Sequence, residues 1–317
     1  MPKQSSNYTD EQLILAARLY FLDGLPQMEI ARLVNVSQSK VSRMLALARD
    51  RGLVRISVPE YEPRNHELEA DLTRALGIEA IVIRAVAHQR DEDLRHVTGY
   101  FGAPIVSAWL NSASRVAIAG TRTIEALVEH MKPVGRPVPP TVIQAMGSTD
   151  SSTNSYDASE LGRSLAARWR GSFLTLNSPA ILPNTETARH VLALEQIRMV
   201  MAELASADVA LLGIGSLTES VFLDRHVLTV DELAALHAAG AVGEILGRFY
   251  DAAGVECETA LKGRTVSLPL ATLPTIRKTV GATVGTGRTA AILAAVEGKL
   301  INTLLVDETC ASALLLR

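Results

Sequence analysis

The chain has 317 residues, 48% hydrophobic and 21% charged, with a formal net charge of −3. Such a balance supports a large buried core and excludes a disordered polyelectrolyte; no apolar run has membrane-spanning length or signal-peptide character, so a cytoplasmic protein is expected. Cys257 and Cys310 are far apart and lack CxxC spacing, which argues for reduced core thiols; no metal or cofactor is expected.

Charge is unevenly spread. Residues 1–58 carry eight Lys/Arg against five Asp/Glu, so this segment is basic and the remainder acidic. That asymmetry suits a small module facing phosphates. Within it, Leu13, Ile14, Ala17, Leu19 and Tyr20 recur at helical spacing after a Thr9/Asp10 cap, and Gly24 ends the helix. Pro26 opens a second, short helix with Ile30, Ala31 and Leu33. Asn35 falls where the chain must turn in the left-handed region, and Ser37 caps a third helix whose inner face is Val41, Met44, Leu45 and Ala48.

A small residue followed four positions later by a turn residue, then by buried valines, is the helix-turn-helix arrangement. Its second helix lies in the major groove of double-stranded DNA. Ser37 heads that helix; Gln38, Ser39, Ser42 and Arg43 face outward, with Lys40 nearer the edge. Gln pairs bidentately with adenine and Arg with guanine, so these side chains are the expected base readers. Arg49, Arg51 and Arg55 are expected on phosphates, and Gly52 leads into a β segment, LVRISV, of winged type.

Pro59 and Pro63 mark a linker, giving a DNA-binding module over 1–58 and a second domain over 59–317. In the second domain strand-like runs alternate with helices. The strands are EAIVI (79–83), RVAIAG (115–120), TVIQAM (141–146), SFLTL (172–176), DVALLGIG (208–215), TIRKTVGATV (275–284) and NTLLVDE (302–308). Helices are expected at 94–110, 124–131, 161–169, 196–205, 231–239 and 290–298, with a last one at the end. Continuous apolar strands between helices predict an α/β fold with a doubly wound parallel sheet.

Such sheets bind ligands outside the carboxyl ends of their strands. The strand ends here supply Gly120, Thr121, Arg122 and Thr123; Gly147, Ser148 and Thr149; Pro179; Gly213 and Gly215; and Gly285 with Arg288. Glycines permit close approach, hydroxyls donate, and helix N-termini favour an anion, so a small sugar, polyol or sugar phosphate suits this lining. Asp224 is the carboxylate expected near a ligand hydroxyl. The stretch ATVGTGRT (282–289) nearly matches a nucleotide-binding loop, but Ala282 and Arg288 replace its first Gly and its Lys. Arg288 is therefore read as a phosphate anchor. No GxSxG elbow, HExxH or paired His/Cys cluster occurs, so no catalytic residue is assigned.

Four stretches carry a likeness over nearly the whole chain: YFLDGLPQMEIARLVNVSQSKVSRMLALARDRGLVRISV, LLGIGS, GAVGEILGRFYDAAG and RTAAILAAVEGKLINTLLVDETCASALL. In this order they resemble the SorC family of bacterial sugar-responsive transcription regulators, sometimes described as DeoR-like. The resemblance implies a winged helix-turn-helix fused to an effector domain similar to sugar-phosphate isomerases, assembled as a homotetramer, with a phosphorylated sugar altering operator affinity. Two loops depart from the family. Thr283, Val284, Gly285 and Arg288 stand where an Ala-Gly-Gly loop and a Lys are usual, and Gly120 to Thr123 replace a Trp-Gly-Arg-Thr loop. The function expected is a ligand-controlled regulator of carbohydrate or polyol metabolism rather than an enzyme. The rival is an isomerase-like enzyme whose N-terminal helices serve assembly; an architecture alone confers no activity.

Overall fold

A computed structural model of the chain describes residues 8–85, 90–149, 154–219, 222 and 227–316. It divides into two compact units, Met1–Tyr61 and Glu62–Arg317.

The first unit is three helices around one small core: α1 (Asp10–Phe21), α2 (Gln27–Leu33) and α3 (Gln38–Asp50). Thr9 and Gln12 close a capping box on α1, and the Ser37 hydroxyl accepts from the Lys40 N–H at 3.3 Å to start α3. Leu13, Ala16 and Ala17 meet Ile30 and Ala31 and the α3 residues Val41, Met44, Leu45 and Ala48. Ile14, expected inside, is half exposed because Ala16 and Ala17 take the inner face.

Asn35 turns the chain between α2 and α3 with φ +54°. Only Gly and Asn enter that region cheaply. Asn35→Gly should therefore be neutral, whereas Asn35→Val should cost about 1–2 kcal/mol. Hydrogen exchange across α2 and α3 in the full chain checks this: faster exchange in the valine variant alone is expected.

One expectation fails here. Residues 53–58, expected as a β wing, form no strand: Leu53 and Val54 seat on the three-helix core, and Ile56 and Val58 are exposed. A strand needs a partner, and this unit's described residues contain no other strand to pair with it.

The second unit is built on a seven-stranded sheet, all of whose neighbours run parallel. Its order is β1 (Glu79–Ile83), β10 (Thr303–Asp307), β9 (Lys278–Ala282), β5 (Val209–Gly213), β2 (Arg115–Ile118), β3 (Thr141–Gln144) and β4 (Ser172–Leu174). Side chains alternate between two cores, as the period-2 geometry of strands requires. Ala80, Val82, Ala117, Ala210, Leu212, Leu304 and Val306 enter one; Ile81, Ile83, Val116, Ile118, Val209, Leu211 and Leu305 enter the other.

Helices α5 (Asp91–Leu110), α6 (Arg122–His130) and α7 (Ala158–Arg168) cover the second core. The first is covered by α4 (His66–Leu76), α8 (Thr185–Ala193), α9 (Glu195–Ala205), α11 (Thr289–Glu297) and α12 (Glu308–Leu315), with α10 (Val230–Ala238) nearby in the chain. The doubly wound α/β fold expected from the strand runs is present. Among the described helices none is long and apolar enough to cross a membrane.

A small antiparallel sheet of β6 (Gly215–Ser216), β7 (Gly243–Ile245) and β8 (Arg248–Tyr250) sits beyond β5. Leu246 and Gly247 both have positive φ, so β7 and β8 are joined by a two-residue turn of the mirror-image type that matches strand twist.

Candidate functional site

On α3 the side chains of Gln38, Ser39, Lys40, Ser42 and Arg43 are all exposed, as is Ser37 at its head. Ser39, Ser42 and Arg43 lie away from the buried stripe of Val41, Met44, Leu45 and Ala48, whereas Lys40 lies toward one edge of it and Gln38, one turn before Val41, toward the other. Arg49 and Arg55 are exposed as well. Arg51, expected on a phosphate, is engaged within the module. Gly52 turns the chain back at the end of α3, and the Arg51 guanidinium donates to Asp10 Oδ1 at 2.7 Å and to the Tyr8 carbonyl at 3.3 Å. That pair ties α3 to the start of α1.

The sheet topology fixes the second site. From β2 the chain moves outward to β3 and β4; from β5 it moves the opposite way to β9 and β10. The connections therefore part between β2 and β5, the position at which open α/β sheets leave a crevice. A cavity of about 220 Å³ opens there. Its size, below the roughly 300–1,000 Å³ of drug-sized pockets, suits a small ligand.

Six of the expected residues line it: Thr121, Arg122, Thr123, Gly213, Gly215 and Arg288. Gly213 is required by close approach, since a Cβ there would lie 2.3 Å from Thr121 Cγ2. The Thr121 hydroxyl caps α6, accepting from the Ile124 N–H at 3.3 Å, and so sets the start of that helix against β5.

The other loops do not reach this cavity. The Ser148 N–H donates to the Ser178 carbonyl at 2.9 Å, and the Ala180 N–H donates to the Ser148 carbonyl at 2.7 Å. Gly147, Ser148 and Pro179 are thereby zipped together, and a Cβ on Gly147 would lie 2.5 Å from the Ser178 oxygen. Gly120, Gly147, Ser148 and Thr149 line only a gap of about 20 Å³ beside α7, room for one water. Gly285 serves the cavity indirectly: its N–H donates to Asp307 Oδ2 at 2.6 Å, pinning the turn that leads to Arg288. Asp307 also caps α12, so its burial is satisfied without a metal ion. Asp224 lies outside the described residues.

Three carboxyls and a further arginine join the lining without having been expected: Asp91, Glu219, Glu244 and Arg95. Arg288, with its side chain 16% exposed, reaches Glu219 Oε2 at 2.9 Å, lies 4.0 Å from Asp91, and donates to the Val284 carbonyl at 3.0 Å. Partial burial, reinforced by the like charges of Arg122 and Arg288, holds the Arg95 pKa below its ordinary value despite the opposing pull of Asp91. Among the described residues Arg95 makes no hydrogen bond or ion pair. Burial pushes the Glu244 carboxyl up to about 7, although the Gly247 N–H donating to it at 2.5 Å pulls the other way.

Comparisons with known proteins converge. Residues 63–316 match the family described as "Putative sugar-binding domain". The Sorbitol operon regulator of Klebsiella pneumoniae is 27% identical, covering 98% of this chain and 99% of its own. The Deoxyribonucleoside regulator of Bacillus subtilis is also 27% identical, covering 95% and 96%. The crystal structure of full-length SorC from Klebsiella pneumoniae superimposes with a TM-score of 0.73 at 26% identity, covering 96% of this chain and 99% of that one.

The chain belongs to the SorC family of sugar-binding transcription regulators.

In this regulator, the stretch GEILGRFY is the hairpin β7–β8. It delivers Glu244 to the cavity, and its Tyr250 hydroxyl donates to the Ala291 carbonyl of α11 at 3.1 Å. Arg248 is a satisfied internal cation: it pairs with Glu256 at 2.8 Å and donates to Ser267 Oγ at 2.9 Å. A signal for Asp91 and Arg95 existed in the sequence. Both lie one turn apart at the start of the helix that follows the first strand, where a ligand-facing charge belongs.

Proposed function

We propose that the chain is a cytoplasmic, sequence-specific DNA-binding regulator of carbohydrate or polyol metabolism, whose effector occupies the cavity between β2 and β5. The effector is a small sugar or polyol carrying an anionic group, with Arg288 as its anchor and with Thr121, Arg122, Thr123, Gly213 and Gly215 around it. Ser37, Gln38, Ser39, Lys40, Ser42 and Arg43 face the bases, and Arg49 and Arg55 rest on phosphates. Two recognition helices are needed because one contacts few base pairs, so the working species is a dimer pair or a tetramer. The cavity binds without turnover; its ligand acts by preferring one of two subunit arrangements.

The observation that carries this reading is three guanidinium groups, those of Arg95, Arg122 and Arg288, around one small cavity at the topological switch point. Anion-bearing ligands gain about 1.5–3 kcal/mol per hydrogen bond from such groups. A thermal-shift screen of free and phosphorylated sugars tests it. A true effector at a hundredfold excess over its Kd stabilises by about 2.7 kcal/mol, so the melting temperature should rise by several degrees. Arg288→Gln should weaken that ligand roughly ten- to a hundredfold, as read by titration calorimetry. Unchanged affinity in Arg288→Gln would remove the anchor from the account.

A further inference from the structure

The anion cradle at the head of α11 already holds an anion belonging to the protein. Glu219 Oε2 lies 2.9 Å from Arg288 Nη2, and the same carboxylate is pressed against the turn: a Cβ on Gly287 would stand 2.6 Å from Glu219 Oε1. Among the described residues, the backbone N–H groups of Thr286, Gly287 and Arg288 have no hydrogen-bond partner. Oε2 is buried and, although paired in charge with Arg288, accepts no hydrogen bond. The carboxylate thus sits in a place with cationic and N–H donors, held by charge and with poor hydrogen-bond geometry.

Its attachment lets it leave. The Glu219 backbone is fixed to β6: its N–H donates to Ser216 Oγ at 3.1 Å, and its carbonyl accepts from the Ser216 N–H at 3.0 Å. The side chain beyond Cα is 40% exposed, so rotation alone carries the carboxylate into water.

We infer that Glu219 is an internal competitor for the effector's anionic group: it neutralises Arg288 until a phosphomonoester displaces it, and so screens out uncharged sugars. This rests on the reading that Arg288 anchors an anion. A neutral polyol that displaced Glu219 would leave Arg288 partly buried with only the longer 4.0 Å contact to Asp91 to balance its charge, a cost such a ligand cannot return. A phosphomonoester brings close to two negative charges and three acceptor oxygens to the same donors, and replaces the carboxylate with a gain. The competitor lowers the affinity of every ligand that must displace it, which keeps neutral sugars, whose contacts cannot offset that cost, below useful affinity.

The test compares wild type, Glu219→Gln, Glu219→Ala and Arg288→Gln by titration calorimetry at fixed ionic strength, with inorganic phosphate, ribose 5-phosphate and ribose as probes. Melting curves establish that each variant is folded. Both Glu219 variants should bind inorganic phosphate, ribose 5-phosphate and ribose more tightly, on the order of tenfold, because none of the three then has to displace a carboxylate. Anion affinity that is unchanged or reduced in both Glu219 variants, while Arg288→Gln still weakens it roughly ten- to a hundredfold, overturns the competitor role and leaves the anchor standing. Absence of anion binding in wild type and in both Glu219 variants overturns the anchor and the competitor together. Ribose affinity unchanged in both Glu219 variants, while anion affinity rises, overturns the screening role.

Discussion

Replacement of Arg43 by alanine is expected to weaken operator binding by one to two powers of ten and to change binding to random duplex several-fold at most. Arg43 is exposed on α3, while Val41, Met44 and Leu45 around it are buried, so the substitution removes a reader without touching the core. One bidentate arginine–guanine pair contributes about 1–3 kcal/mol of discrimination, and a two-fold symmetric operator uses it twice. Arg49→Ala provides the contrast. Loss of a phosphate contact lowers affinity for both duplexes alike and reduces the salt slope by about one. Gel shifts at several salt concentrations separate the two variants; equal losses on operator and random duplex for Arg43→Ala would remove it from base reading.

Glu244 gives the second large effect. Its folded pKa of about 7 lies above the ordinary 4.5 because burial disfavours the carboxylate. The folded state therefore holds a proton that the unfolded chain releases. The associated stability is full below about pH 4.5, declines as pH rises, and is lost by the time pH has passed through 7. The total is roughly 3 kcal/mol. Glu244→Gln has no proton to lose and should remove this component, leaving the variant more stable than wild type at pH 8 by up to about that amount. Both tryptophans, Trp109 and Trp169, lie in the larger unit, so urea unfolding followed by tryptophan fluorescence at pH 5 and pH 8 reads the relevant structure. Parallel stability profiles for the two proteins would contradict a buried, protonated Glu244.

Much of the architecture was legible because its signals are local. The strands β1, β5 and β10 are continuous apolar runs, and Ser37, Asn35 and the buried face of α3 follow from spacing alone. Helix α8 left no trace because it is polar nearly all round, with Ala188 its one buried residue. Helix α4 was likewise missed; it buries Leu72 and Glu69, whose carboxyl Arg64 clamps bidentately at 2.8 Å, a pairing no periodicity announces. The hairpin β7–β8 has strands of three residues, too short for an alternating pattern to announce, and buries Glu244 and Arg248 among its apolar neighbours.

The site was legible residue by residue but not as an assembly. Glycine and hydroxyl loops end most strands, and which of them share a cavity depends on strand order. Loops after β2, β5 and β9 converge because those strands straddle the switch point, whereas the loops at Gly147 and Pro179 follow β3 and β4 and close on each other. Glu219 belongs to no repeating pattern; only the fold brings it to Arg288, some seventy residues further along the chain. The LVRISV segment misled because β-branched residues signal a strand only when a partner strand is at hand.

The central claim is that occupancy of the cavity controls DNA binding, and operator affinity with and without ligand tests it most directly. A sugar phosphate that raises the melting temperature should change the Kd for the promoter beside the gene between about five- and a hundred-and-fifty-fold, the range of ordinary allosteric coupling. In Arg288→Gln the ligand concentration needed for half of that change should rise roughly ten- to a hundredfold while basal operator affinity is kept. An identical operator Kd with and without every ligand that stabilises the protein would contradict the account.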